Sequence, residues 1–167
     1  MPLGREKPSA IKQLVYDKEK GGISMGFRMK ITGGSEDIVF DERSITKVDF
    51  NSASSADSNA RATDFGMTVK VWGKMLYKLG GEGNDPTLGL AIWSQVPSEK
   101  ADCYRNAEVT VVSAGQVVRQ FTLPNAFVME YSEKVDDESG VGTFYIHMKQ
   151  KKDENMATKI EGGFSGK

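Results

Sequence analysis

Hydrophobic and polar positions alternate along most of this chain. Phe27, Met29 and Ile31 take one side and Arg28, Lys30 and Thr32 the other, the period of a strand with one wet face. Gly33-Gly34 turns the chain, and residues 38–40 and 45–50 supply one or two further strands. Residues 51–64 break the pattern, because nothing larger than alanine there is apolar. A connection of this length without structure of its own is usually functional or disordered. Met67, Val69 and Val71 then alternate with Thr68, Lys70 and Trp72 in a further strand. After a glycine-rich stretch at 80–83, Asp85-Pro86 offers an N-cap followed by proline at the first helical position. Leu88, Ala91, Ile92 and Gln95 share a helical face, and Pro97 stops the helix, the one substantial helix expected.

The remainder reads as β. Residues 108–112 alternate with Val109 and Val111 inward, and Ala114-Gly115-Gln116 turns the chain into 117–123, which makes a hairpin. Pro124 separates this from a strand at 125–134, whose first half, Ala126-Phe127-Val128-Met129, predicts cover on both faces. A polar turn at 136–140 leads to 141–149, with Phe144, Ile146 and Met148 opposite Thr143, Tyr145, His147 and Lys149. A short extended segment is expected at 156–160. The pattern predicts a mainly β fold: a small β-barrel of about seven or eight mostly antiparallel strands with one flanking α-helix. Three parts are expected: an N-terminal arm (1–22) on which Ile11, Leu14 and Val15 have helical spacing, the β-barrel domain (23–161) and a flexible C-terminal tail (162–167).

Composition narrows the function. Of 167 residues, 22 are Lys or Arg and 23 Asp or Glu. The signs balance along the chain, with 10 of each in 1–64, 7 of each in 65–135, and 5 basic against 6 acidic in 136–167. That excludes a basic domain or tail as a nucleic-acid footprint, although a folded patch can still be assembled. No apolar run approaches the ~20 residues of a membrane span, and the start, Met1-Pro2-Leu3-Gly4-Arg5-Glu6-Lys7-Pro8, lacks the apolar stretch of a signal peptide. The expectation is a protein made in the cytoplasm that leaves, if it leaves, by another route.

Chemistry is scarce. Cys103 is the one cysteine, which rules out an internal disulfide and four-cysteine zinc sites, and nothing near it in sequence activates the thiol. His147 is the one histidine and falls on a polar strand face with no acid two residues away. The 80–83 glycines lack a Gly-Lys-Ser/Thr ending, so they are no phosphate loop. Asp136-Asp137-Glu138 lacks the spacing of a calcium loop. Trp72, Trp93, Phe127 and Phe144 read as core or interface. No catalytic residue, cofactor site or metal site is predicted, and the chain reads as a non-enzyme.

The order of elements resembles a known family. Alternating strands, a long small-residue loop, a strand, one helix after a polar loop, a hairpin and the closing pair Leu123-Pro124-Asn125-Ala126-Phe127-Val128-Met129-Glu130-Tyr131 and Gly142-Thr143-Phe144-Tyr145-Ile146-His147-Met148-Lys149 carry the resemblance. It is to the tube-forming family of the haemolysin-coregulated protein of type VI secretion systems and the tail-tube proteins of contractile phages, and covers roughly residues 23–161. The resemblance implies six copies closing into a ring and rings stacking into a hollow tube that delivers effectors or DNA. It implies sheath, spike or baseplate components and effector cargo as partners, while composition gives the expectation of no membrane and no sequence-specific nucleic acid. It also implies assembly in the cytoplasm, then secretion or a place in a particle. The arm is longer than the family pattern, and the glycine-rich tail is extra. On the tube reading that the resemblance implies, the long small-residue 51–64 loop is the expected contact between subunits or rings, through Asn51, Ser54, Ser55, Asp57, Asn59, Arg61 and Asp64. Two rivals stand beside this reading: a small barrel binding a lipophilic or flavin-like ligand inside, and an effector enzyme on a β scaffold.

Overall fold

The computed structural model describes residues 25–54, 65–75, 85–151 and 158–163. The expected arm (1–22), most of the 51–64 loop, the 80–83 glycines and the end of the tail lie outside them. Eight strands and one helix are described: β1 (Met25–Thr32), β2 (Ile38–Phe40), β3 (Ile45–Ser54), β4 (Phe65–Met75), α1 (Pro86–Ser94), β5 (Arg105–Ser113), β6 (Gln116–Val135), β7 (Gly142–Gln150) and β8 (Lys159–Gly162). All strand pairs are antiparallel. The sheet runs β2-β1-β5-β6-β7-β4-β3, with β8 also on β6. The mainly β class with one flanking helix is as the sequence predicts. The barrel is not closed by hydrogen bonds: among the described residues, β2 and β3 are the two ends of the sheet.

The sheet curls around side chains from every layer. Met29, Ile31, Phe40, Val69, Val71, Leu123, Ile146 and Met148 are at most 2% exposed. Each such side chain stabilises the fold by roughly 1.5–3 kcal/mol relative to exposure. Phe40 and Phe144 meet at 5.0 Å between ring centroids, and Phe50 stacks on Phe121 at 4.4 Å, joining β3 to the first half of β6 across the interior.

Four local expectations are corrected. First, Asn51–Ser54 is not loop: these residues continue β3, opposite Thr68, Met67, Gly66 and Phe65. Second, Pro124 does not divide two strands. β6 runs unbroken for 20 residues, and Asn125 at φ 54° turns it there. The buried Gln150 side-chain amide donates to the Pro124 carbonyl. Before the turn β6 pairs with β5 and β8; beyond it, with β7. Third, Val111 is only half-buried, because the register shifts between Val111 and Val112 and puts Val112 inside. Fourth, Met129 is exposed, at a bulge where β6 slips against β7 between Val128 and Glu130, so cover on both faces of 126–129 is incomplete.

The helix forms as its cap predicts. The Asp85 carboxylate accepts the Thr87 backbone N–H at 3.0 Å, and Pro86 occupies the first turn. Its buried residues are Thr87, Leu90 and Trp93, and the Trp93 indole N–H donates to the Cys103 carbonyl at 2.8 Å. Leu88 and Ile92, on the face the apolar spacing singled out, are instead exposed. Gly89 explains this orientation. A Cβ there would lie 2.9 Å from Ile38 Cγ1, so the helix lies against β2 through a position with no side chain.

Candidate assembly surfaces

Of the expected loop contacts, Asn51 and Ser54 are exposed residues at the end of β3, three positions apart on one strand. Ser55, Asp57, Asn59, Arg61 and Asp64 lie outside the described residues. What the structure adds is the pair of sheet edges that flank this region. β3 is an end strand, with β4 on one side and, among the described residues, no strand on the other. The second half of β6, beyond Ala126, pairs with β7 on one side, and its β5 pairing ends at Arg105–Ala126. The β6(distal)-β7-β4-β3 portion is therefore a four-stranded sheet whose two edges carry no further strand among the described residues. Around these edges lie exposed apolar side chains: Met129 at the β6 bulge and Val135 and Val141 at the β6–β7 turn. The helix approaches distal β6 from its inner face, where the Tyr131 hydroxyl donates to the Thr87 carbonyl at 3.1 Å.

Cys103 is buried and His147 half-buried. Cys103 ends a 3₁₀ turn (Ala101–Cys103) and is buried; burial first, then the Asp102 carboxylate, raises its thiol above the ordinary range, opposite to the activation a nucleophile needs. Arg105 is buried with its Nε on the Asp102 carbonyl at 2.9 Å and its guanidinium 5.4 Å over the Trp93 ring. Gly34 makes room for it, since a Cβ there would lie 2.6 Å from Cζ. His147 sits on the polar face of β7, as strand parity predicts, between Lys70 of β4 and Glu130 of β6. Its Nε2 is buried and makes no hydrogen bond among the described residues. Burial and the Lys70 ammonium lower its pKa, with Glu130 opposing. Glu130 is the acidic neighbour that sequence spacing missed, because it arrives across the sheet. Among the described residues, no group of three or more His, Cys, Asp or Glu is placed to hold a metal, and no helix is long and apolar enough to cross a membrane.

Of the four aromatics read as core or interface, Trp93 and Phe144 are core. Trp72 and Phe127 are half-buried on the outer face of the sheet. The Trp72 ring packs 5.1 Å from Tyr145, with Lys47 Nζ 4.4 Å from its centroid. Beside this pair lies a surface groove of ≈ 580 Å³ lined by Thr46, Trp72, Glu130, Ser132, Lys134 and Tyr145 among others. The signal for this face was present in the outward parity of Lys70, Trp72 and Lys74, but the neighbours that complete it come from other strands.

No family profile and no curated protein sequence matches the chain. Solved structures do. Hcp1 from Flavobacterium johnsoniae is 15% identical over 81% of this chain and 96% of its own, with a TM-score of 0.48. The anti-feeding prophage baseplate is 13% identical over 84% of this chain and 95% of the matched one, TM-score 0.47. Hcp1 from Salmonella typhimurium is 9% identical over 74% and 81%, TM-score 0.46. The matched structures are thus Hcp1 proteins and a prophage baseplate, all at low sequence identity.

Proposed function

We propose that this chain is a structural tube subunit of a contractile injection apparatus, assembling as rings of six that stack into a hollow tube. The observation that carries the reading is the four-stranded sheet with no further strand on either edge among the described residues. Strand directions alternate through distal β6, β7, β4 and β3, all antiparallel neighbours. Because the number of strands is even, distal β6 of a second copy continues the alternation when laid against β3 of the first. Every copy then offers one edge and receives the other, the head-to-tail interface that closes into a ring by rotation. Open edges of this kind must be paired or blunted in a stable protein. Residues 55–64, with Asn51 and Ser54 at their base, are the proposed contact to the next subunit or ring.

The packed interior also favours this reading over a ligand-binding barrel. The space between the curled sheet layers is filled by Met29, Phe40, Phe144 and Ile146, all nearly unexposed.

Light scattering on the full chain tests the proposal. At micromolar concentration the expected mass is near six times 18.3 kDa, or stacks of that unit. Met129→Lys, at an exposed position on the open part of β6, is expected to lower the ring fraction with an unchanged circular dichroism spectrum. A protein that remains monomeric when concentrated overturns the proposal.

A further inference from the structure

The outer face of the β6(distal)-β7-β4-β3 sheet gathers basic side chains from four strands. β3 contributes Lys47; β4, Lys70 and Lys74; β7, Lys149; and β6, Lys134. The registers Lys47–Trp72, Lys70–His147, Lys74–Thr143, Lys134–Thr143 and Phe127–Lys149 place them on one side of the sheet. These are five of the nine lysines among the described residues. The carboxylates on the same face are Asp49, opposite Lys70, and Glu130, opposite His147. Asp49 is paired with Lys47 at 3.2 Å, while none of the described ion pairs engages Lys70, Lys74, Lys134 or Lys149.

Aromatic rings run through this basic field. Trp72 and Tyr145 form one pair, 5.1 Å apart. Tyr104 and Phe127 form a second, 6.1 Å apart and edge-on, with Lys151 Nζ 5.1 Å over Tyr104. Phe127 lies opposite Lys149, four residues along β7 from Tyr145, so the pairs are about 13 Å apart along the strand. Hydroxyls of Thr46, Ser132 and Thr143 line the groove beside the first pair.

We infer that this face binds single-stranded nucleic acid without sequence preference. The phosphates lie along the lysines, and bases stack at Trp72–Tyr145 and Phe127–Tyr104. Charge complementarity calls for a polyanion. Two ring pairs spaced along a basic track select one that carries flat π-faces at intervals, the combination by which single strands are held. An acidic peptide would use the lysines and leave the rings without a matching partner. A duplex would present its phosphates with its bases stacked away.

The two tryptophans provide a built-in readout, because Trp72 is only half-buried while Trp93 is 1% exposed. The full-length protein is titrated with a fluorescein-labelled oligothymidylate of about twelve nucleotides, within the usual span of such sites. Anisotropy and tryptophan emission are followed from 50 to 300 mM NaCl. The expected result is binding with quenching, and a log–log salt slope of about −2 to −3, the value for three or four phosphates neutralised on a single strand. Lys70→Gln with Lys134→Gln is expected to weaken binding about tenfold and flatten the slope by about 1.4. Lys30→Gln with Lys100→Gln, off the face, leaves both unchanged. Trp72→Leu weakens binding about five- to hundredfold. Trp72→Phe keeps a stacking ring and the affinity but loses the quench, so the readout stands even if the leucine variant folds poorly. Absence of binding at 50 mM salt, equal loss in the Lys30/Lys100 variant, or equal affinity for polyglutamate of matched charge would each overturn the inference.

Discussion

Gly73 of β4 offers a test in which the sign of the effect decides. Its backbone is ordinary extended strand, so alanine there removes unfolded-state entropy and by itself stabilises by about 0.4–1 kcal/mol. The surroundings oppose this. A Cβ at Gly73 would lie 2.6 Å from Phe144 Cζ and 2.7 Å from the Ser44 carbonyl oxygen, well inside normal contact. Neither neighbour has room to retreat. Phe144 is 2% exposed and packed 5.0 Å from Phe40, and the Ser44 carbonyl accepts the Lys74 N–H at 2.7 Å. Overpacking of this kind costs about 1–3 kcal/mol, which outweighs the entropic gain. For a domain of this size the net loss, about 1.3 kcal/mol at the middle of these ranges, lowers the melting temperature by about 3–5 °C. Gly66, on the same strand, is the control: its nearest neighbour is the flexible Lys149 Cε at 3.5 Å, so Gly66→Ala leaves Tm unchanged or slightly raised. Phe144→Leu combined with Gly73→Ala is expected to cost less than the sum of the two, because the leucine vacates the contested space. Thermal unfolding by circular dichroism measures all four chains. A rise in Tm for Gly73→Ala would refute the close approach of β4 to Phe144 and with it the packing described at this end of the sheet.

Asp85→Ala removes the acceptor for the Thr87 N–H and hydroxyl; the expected loss is about 1 kcal/mol, read as a Tm lower by about 2–4 °C. His147→Gln bears on acid stability. Because burial and Lys70, with Lys149, hold the folded imidazole below its ordinary pKa of 6.5 against the pull of Glu130, the unfolded chain takes up the proton first as pH falls. Stability from this group is therefore full above about 6.5 and declines as pH drops from there through the lowered folded value. The Tm difference between pH 7.5 and 5.5 is expected to shrink in His147→Gln, while the assembly mass at pH 7.5 stays the same; an unaltered pH difference would show that the imidazole is not held in this way.

Periodicity made the strands legible wherever one face is buried. In β7, Phe144, Ile146 and Met148 are inside and Tyr145, His147 and Lys149 outside, as alternation alone predicts. Elsewhere a distant partner decided the outcome. Asn51–Ser54 has loop-like composition but is strand because β4 lies alongside it, a pairing no local window contains. Pro124 reads as a break, yet it falls where β6 changes neighbours, and Gln150, 26 residues away, supplies the donor to its carbonyl. The helix spacing identified an apolar face at Leu88 and Ile92, but the side that packs was set by Gly89 against Ile38 and by the Trp93–Cys103 hydrogen bond. An apolar stripe shows that a helix is amphipathic; which side is covered depends on what reaches it.

The basic face shows why its charge was invisible in the sequence. Formal net charge is −1 for the chain, and each of the segments 1–64, 65–135 and 136–167 is close to neutral. Neutrality is a sum over residues, whereas a surface potential depends on which of them point the same way. Lys47 and Lys149 are 102 positions apart in sequence, yet sheet order places their strands two apart, and parity turns both outward. Asp49 and Glu130 share the face, and other acids lie off it, among them Asp37, Asp41 and Glu42 around β2 and Asp136, Asp137 and Glu138 in the β6–β7 turn. The same alternation keeps the face separable from the fold. Val69 and Val71 carry the core while Lys70, between them, and Trp72, next along β4, face outward. Substitutions at the outward positions therefore address binding and leave the packed interior intact, whereas Gly73→Ala addresses packing and leaves the lysines in place.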